Sequence, residues 1–187
     1  MITHIDVSVV LRRRVCELYS DLVTRSTGAA VRSAIELQLQ SSGTRTLIVM
    51  DFTNVGLLDF SCADEVVAKL LLRYSAEDGP AQERYFVFRG LDEHLDAIEQ
   101  VLEHHGLALV AEDGDEFPRL VGAIGESERM AWEVLRSVPR GLPSRVAEEL
   151  RIPANEASRL LEQLHRRRLC IRVEDGYRSV GGEGRLS

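Results

Sequence analysis

Residues 46–74 read TLIVMDFTNVGLLDFSCADEVVAKLLLRY. The apolar run Leu47–Met50 is too short for a helix and has no polar face, so it predicts a strand buried on both sides. The run stops at Asp51, passes through Asn54 and Gly56, and reaches a second acid at Asp59. A helix is predicted to start near Phe60–Ser61 and to end near Tyr74. Strand, polar turn and helix N-terminus in this order form the edge at which an α/β protein exposes its working surface.

Upstream, Ile2–Val10 alternates loosely and predicts an edge strand. From Leu11 the period changes: Val15, Leu18, Tyr19 and Leu22 fall on one helical face. Thr24–Ser26 interrupts it, and Thr27 is a candidate cap for a second helix with Val31, Ala34, Ile35 and Leu39 inside. Ser41-Ser42-Gly43 ends that helix. Downstream, Glu77-Asp78-Gly79-Pro80 reads as a loop. Tyr85–Phe88 reads as a strand and Leu91–His105 as a helix burying Leu95, Ile98, Val101 and Leu102, with Gly106 as its C-cap. Leu107–Val110 is a further strand, Glu112–Glu116 an acidic loop, and Phe117–Ile124 a last strand or linker. Successive strand–helix units predict a mostly parallel sheet.

After Gly125 the pattern and the charge both change. Up to that residue there are roughly 11 basic and 20 acidic side chains, and beyond it roughly 12 and 10. Helices are predicted over Glu128–Val138, Ser144–Leu150 and Ala154–Arg167, with turns at Pro139–Pro143 and Arg151-Ile152-Pro153. Strands Leu169–Val173 and Tyr177–Val180 flank the hairpin signal Glu174-Asp175-Gly176. The expected organisation is residues 1–125, residues 126–180 and a frayed tail at 181–187.

The turn Asp59-Phe60-Ser61-Cys62-Ala63-Asp64-Glu65 resembles the STAS family, the sulfate transporter and anti-sigma-factor antagonist domains. Its Ser-Cys-Ala-Asp-Glu portion is similar to a bacterial STAS-like subgroup. That resemblance spans about residues 1–125 and implies an α/β domain that binds a protein partner, with a histidine-kinase-like ATPase as the family precedent. Many family members are phosphorylated on the serine after the turn aspartate. Phe60 stands at that position here, so Asp59, Ser61 and Asp64 are the candidate partner or phosphorylation residues. The simpler reading of Ser61 is an N-cap; Asp64 and Glu65 suit a helix N-terminus without further role and would repel a phosphate on Ser61.

Residues 127–180 resemble the winged helix-turn-helix domains of bacterial transcription regulators. Val146-Ala147-Glu148-Glu149-Leu150 through Ala157-Ser158-Arg159-Leu160-Leu161 fits that family's spacing, and Arg168-Leu169-Cys170-Ile171 its exit into the wing. The resemblance implies DNA binding. The second helix of such a motif enters the major groove, and here its outer face would carry Asn155, Glu156, Ser158, Arg159, Gln163 and Arg166. Arg159 suits guanine, and Asn155 or Gln163 suits adenine. Arg172, Tyr177 and Arg178 on the wing would reach phosphate or the minor groove. The same face could instead contact protein, a reading favoured by the acids Glu156 and Glu162.

Other features carry less. Cys16, Cys62 and Cys170 are scattered and odd in number, which supports neither a disulfide framework nor a zinc site. No metal or other cofactor is expected. His94, His104 and His105 read as surface residues, and Arg12-Arg13-Arg14 as a solvated face. The turn Thr24–Gly28 could hold a phosphate with Arg25 and Thr27, although it lacks P-loop glycines. No apolar run is long enough to span a bilayer and no secretory signal is visible, so a cytoplasmic, non-membrane protein is expected. No nucleophile–base set is readable, so an enzyme is not expected. The leading expectation is a homodimeric transcription regulator with a STAS-like input domain and a DNA-binding output domain. The alternatives are a protein-interaction adaptor and a small-molecule sensor.

Overall fold

The structure, a computed structural model, describes residues 1–18, 20–40, 43–75, 83–112 and 118–181. The first half runs β1 (Ile2–Asp6), α1 (Val7–Arg14), α2 (Arg25–Gln40), β2 (Arg45–Asp51), α3 (Phe60–Ala63), a π-helical turn (Asp64–Ala68) and α4 (Lys69–Ser75). It continues through β3 (Glu83–Arg89), a 3-10 turn (Asp92–His94), α5 (Leu95–His105), β4 (Ala108–Ala111) and β5 (Arg119–Gly122). The sheet order is β1-β2-β3-β4-β5. The first four strands are parallel and β5 is antiparallel to β4.

Right-handed crossovers between strands added always in one direction place every connecting helix on the same face of the sheet. The residues alternate accordingly. Ile48, Met50, Phe86, Phe88, Leu109 and Val121 face α1–α5 in one apolar cluster. Leu47, Tyr85, Val87, Ala108, Val110 and Leu120 face the other way. The expected double burial of Leu47–Met50 is observed, with all four residues buried.

The C-terminal helices and hairpin cover the second face. Gly125 immediately precedes α6 (Glu126–Arg136), and its N–H donates to the Glu128 carboxylate at 3.2 Å. Next come α7 (Pro143–Leu150), α8 (Ala154–Arg166), and the antiparallel hairpin β6 (Cys170–Val173) and β7 (Gly176–Ser179). Ala131, Trp132, Leu135, Leu161, Leu164, Leu169 and Val180 form one continuous apolar cluster with the second sheet face. Trp132 is fully buried, and its indole N–H donates to the Leu169 carbonyl at 2.9 Å. Polar bonds reinforce the junction. Arg167 donates to the Glu128 carboxylate at 3.0 Å and also to the Ala123 carbonyl, and Arg168 donates to the Tyr74 carbonyl at 3.2 Å.

Several elements differ from expectation. The first helix spans Val7–Arg14, because Asp6 caps it by accepting from Val9 N–H at 3.1 Å and because Val7, Val10 and Leu11 supply the buried face. Val15 and Leu18 are exposed, so the supposed face Val15-Leu18-Tyr19-Leu22 does not form; Tyr19 lies outside the described residues. The second helix starts at Arg25, where Thr24 rather than Thr27 is the cap: Thr27 N–H donates to Thr24 Oγ1 at 3.2 Å. Its expected inner face, Val31, Ala34, Ile35 and Leu39, is buried. Gly106 ends α5 with φ of 64°, as its place after the last apolar residue predicts. The Glu77–Pro80 loop, Asp113–Glu116, Ser41, Ser42 and the tail from Gly182 lie outside the described residues.

Candidate functional site

The turn that ends β2 brings two helix starts together. The 20–24 and 56–59 segments are zipped by Gly56 N–H to Ser20 O (2.8 Å), Leu22 N–H to Leu57 O (2.7 Å) and Asp59 N–H to Leu22 O (2.9 Å). Asp59 caps α3 by accepting from Cys62 N–H at 2.8 Å. Ser61 is half-buried and its hydroxyl donates to the same carboxylate at 2.9 Å. Ser61 is therefore not the cap; Asp59 is. Leu57, Phe60 and Val23 lie exposed around this turn.

Asp64 and Glu65 are not solvated first-turn acids. The widened π turn carries both into the helical layer, where they are 7 % and 3 % exposed. Arg25 reaches Asp64 at 2.6 Å and Glu65 at 3.1 Å, Arg32 reaches Glu65 at 3.2 Å, and Lys69 pairs with Glu65. His105 Nε2 lies 2.7 Å from Asp64. Burial alone would raise the Asp64 carboxyl, but hydrogen bonds from Arg25 and His105 and the Lys69 charge outweigh it and hold it below its ordinary value. Burial acts the same way on Glu65, and Lys69, Arg25 and Arg32 hold it below as well. Glu36, Arg32 and Arg73 extend the chain of ion pairs. This network ties α2, α4 and α5 to the turn.

The residues around that network were mostly invisible in sequence. Glu65 and Lys69 are a readable i,i+4 pair. Arg25 and His105 are separated from Asp64 by about forty residues, and only the fold brings them together. His94, expected on the surface, is 5 % exposed, and His105 is a hydrogen-bond partner of Asp64 rather than a free surface side chain.

The C-terminal unit holds the second cluster of sequence-predicted residues. α8 buries Ala157, Leu160, Leu161 and Leu164, spaced i, i+3, i+4 and i+7, so its remaining positions face out. Asn155, Ser158, Arg159, Gln163 and Arg166 are exposed and Glu156 is half-buried. Among the described residues, no hydrogen bond or ion pair of Asn155, Glu156, Ser158, Arg159 or Gln163 reaches the first half of the chain. Ser158 donates its hydroxyl to the Ala154 carbonyl at 2.9 Å. Arg159 has no ion-pair partner among the described residues.

The hairpin stands beside this face. An isolated antiparallel bridge joins Gly141, in the α6–α7 connection, to Tyr177, through N–H···O bonds of 2.8 and 3.0 Å. Gly176 is needed here, since a Cβ at that position would sit 2.7 Å from the Gly141 carbonyl. Between α8 and the hairpin runs an open groove of about 570 Å³, lined by Asn155, Ser158, Arg159, Glu162, Arg172 and Tyr177 among others. Two of the expected wing contacts are not exposed. Tyr177 is buried and its hydroxyl donates to Glu162 at 3.1 Å; Arg178 is half-buried, with its Nε enclosed. Arg172 is exposed, 5.8 Å from the Tyr177 ring centroid.

Among the described residues no group of three or more His, Cys, Asp or Glu side chains could hold a metal ion, and no helix is long and apolar enough to cross a membrane. No protein-family model, curated protein or solved structure matches the chain.

Proposed function

We propose that this chain is a bacterial transcription regulator, with a STAS-like module that receives a protein partner and a winged helix that binds DNA. The observation that carries the proposal is the uncovered polar face of α8 beside the hairpin. A helix whose apolar stripe is fully used inside, and whose outer side offers Asn155, Arg159, Gln163 and Arg166, has the width and the donors to read a major groove. Arg172 sits where a wing would meet phosphate. The order of three helices, the Gly141 bridge and the hairpin supports the winged-helix reading.

The partner surface of this reading is the turn around Asp59 and Ser61, where Leu57, Phe60 and Val23 expose apolar area at the sheet's C-terminal edge. A phosphate on Ser61 would stand against the Asp59 carboxylate and would disturb the cap of α3. Asp64 belongs to the supporting ion-pair network rather than to the contact surface. Because one apolar cluster joins the sheet to the C-terminal helices, signal transfer through dimerisation fits better than a swinging second domain. A ligand that shifts this equilibrium must bind one assembly state more tightly.

The second reading is a protein-interaction adaptor. It is favoured by the acids Glu148, Glu149, Glu156 and Glu162 on and near α8, and by a net charge of −7. Selection from a random duplex library at low salt separates the two. Retained, enriched sequences support the regulator, and no retained DNA supports the adaptor.

A further inference from the structure

The carboxylate of Glu162 occupies the middle of the α8 face, inside the groove that Arg159 and Arg172 line. Its Oε1 lies 3.8 Å from Arg166 Nε and its Oε2 lies 3.9 Å from Arg172 Nη1. The buried Tyr177 hydroxyl donates to Oε2 at 3.1 Å. That bond fixes the negative charge in place: if the carboxylate swung out to solvent, the phenol would lose this acceptor. Arg166 on α8 and Arg172 on the wing therefore share one anchored counter-charge supplied by the protein itself.

We infer that Glu162 is a positioning and specificity residue that restrains indiscriminate binding of nucleic acid, an inference that rests on the DNA-binding reading above. Phosphate attraction is independent of sequence and grows with each cation free to displace counterions from the duplex. An arginine already facing a carboxylate adds less to that attraction. When a duplex carries the matching bases, contacts to base edges supply the discrimination that phosphate contacts lack. With Glu162 in place, random DNA meets a helix face and wing on which Arg166 and Arg172 are partly neutralised. Matched DNA recovers the difference through Asn155, Arg159 and Gln163.

The test compares wild type with Glu162→Gln, Glu162→Asp and Tyr177→Phe. Fluorescence anisotropy is read on a random-sequence duplex and on a duplex selected by the wild type. Glutamine keeps an acceptor for the Tyr177 hydroxyl while removing the charge. Glu162→Gln is expected to bind random duplex about tenfold more tightly at low salt, with the slope of log affinity against log salt steeper by about one to two. Its preference for the selected duplex should fall by a similar factor. Glu162→Asp keeps the charge and should retain the wild-type salt slope, whereas Tyr177→Phe, which frees the carboxylate from its anchor, should give a slope between those of wild type and Glu162→Gln. A merely structural role for Glu162 would leave that slope unchanged in all variants. If wild type binds DNA and Glu162→Gln matches it in slope and preference, the inference is overturned while the DNA reading stands. If neither protein binds any duplex, the DNA reading fails and the inference with it. If only Glu162→Gln binds random duplex, the inference is supported.

Discussion

The Arg168 guanidinium lies 5.6 Å from the centroid of the Tyr85 ring, and these two residues come from opposite sides of the junction between the sheet and the C-terminal helices. Tyr85 is fully buried in β3, and burial pushes its phenol up to about 12. Arg168 follows α8 in a left-handed conformation, φ 60°, and also donates to the Tyr74 carbonyl. One residue thus links the exit of α8 to the sheet face that no crossover helix covers.

Because the C-terminal helices and hairpin cover that face in one shared apolar cluster, the chain should unfold as one unit. Calorimetry is expected to show a single transition. Trp132→Ala, which opens the shared cluster, should cost about 3–5 kcal/mol and lower the whole transition. Two separate transitions, with only one moved by the substitution, would show two independent cores.

Acid should loosen the helical layer. Asp64, Glu65, Asp6 and Glu83 all have native values below their ordinary ones. A carboxyl depressed in the folded state binds its proton more readily when unfolded, so stability is fully present above the unfolded value and is lost as pH falls through the folded one. Denaturant midpoints should be flat near neutrality and decline below about pH 5. In Asp64→Asn the decline should be shallower. Equal acid sensitivity in wild type and Asp64→Asn would remove Asp64 from the cause.

The turn between α7 and α8 holds a strained residue. Arg151 is exposed and adopts φ 54°, ψ 43° at the C-cap of α7, where glycine is favoured. Arg151→Gly should raise stability by about 0.5–1 kcal/mol, the relief of strain exceeding the added freedom of the unfolded chain. Arg168→Gly, at a similar φ, should not, because the Tyr85 and Tyr74 contacts go with the guanidinium. A thermal melt of the two variants checks the sign.

Thiol reactivity should sort by burial. Burial, with Asp59 nearby, pushes the Cys62 thiol up to about 11, and burial beside Glu162 raises Cys170 as well. Cys16 is exposed. At neutral pH a disulfide reagent should modify Cys16 at once and the other two only after denaturation, read by mass spectrometry of intact protein.

Much of this architecture was legible because hydrophobic period reports local burial. The runs Leu47–Met50 and Tyr85–Phe88 marked strands, the spacing Ala157, Leu160, Leu161, Leu164 marked α8, and Gly106 marked a helix end. The first helix was misplaced because Val15, Leu18 and Leu22 mimic a helical face, while the side chains of Asp6 and Thr24 set the real starts. Capping depends on one side chain and a backbone turn, which period does not register. The Asp64 network was hidden for another reason: Arg25 and His105 reach it only through tertiary packing. On α8 the outward residues were readable as the complement of the apolar stripe. The inward turn of Tyr177 was not, since alternation in a short hairpin leaves the covered side open until the helix beside it is placed.

The central proposal is tested most directly by adding random-sequence duplex to isotope-labelled full-length protein at low salt and following backbone amide shifts. Shifts concentrated at Asn155, Arg159, Gln163 and Arg172, diminished in Arg159→Ala and reversed by added salt, are the expected result. An unchanged spectrum, or shifts gathered instead at Arg12–Arg14 with the α8 amides still, would contradict it.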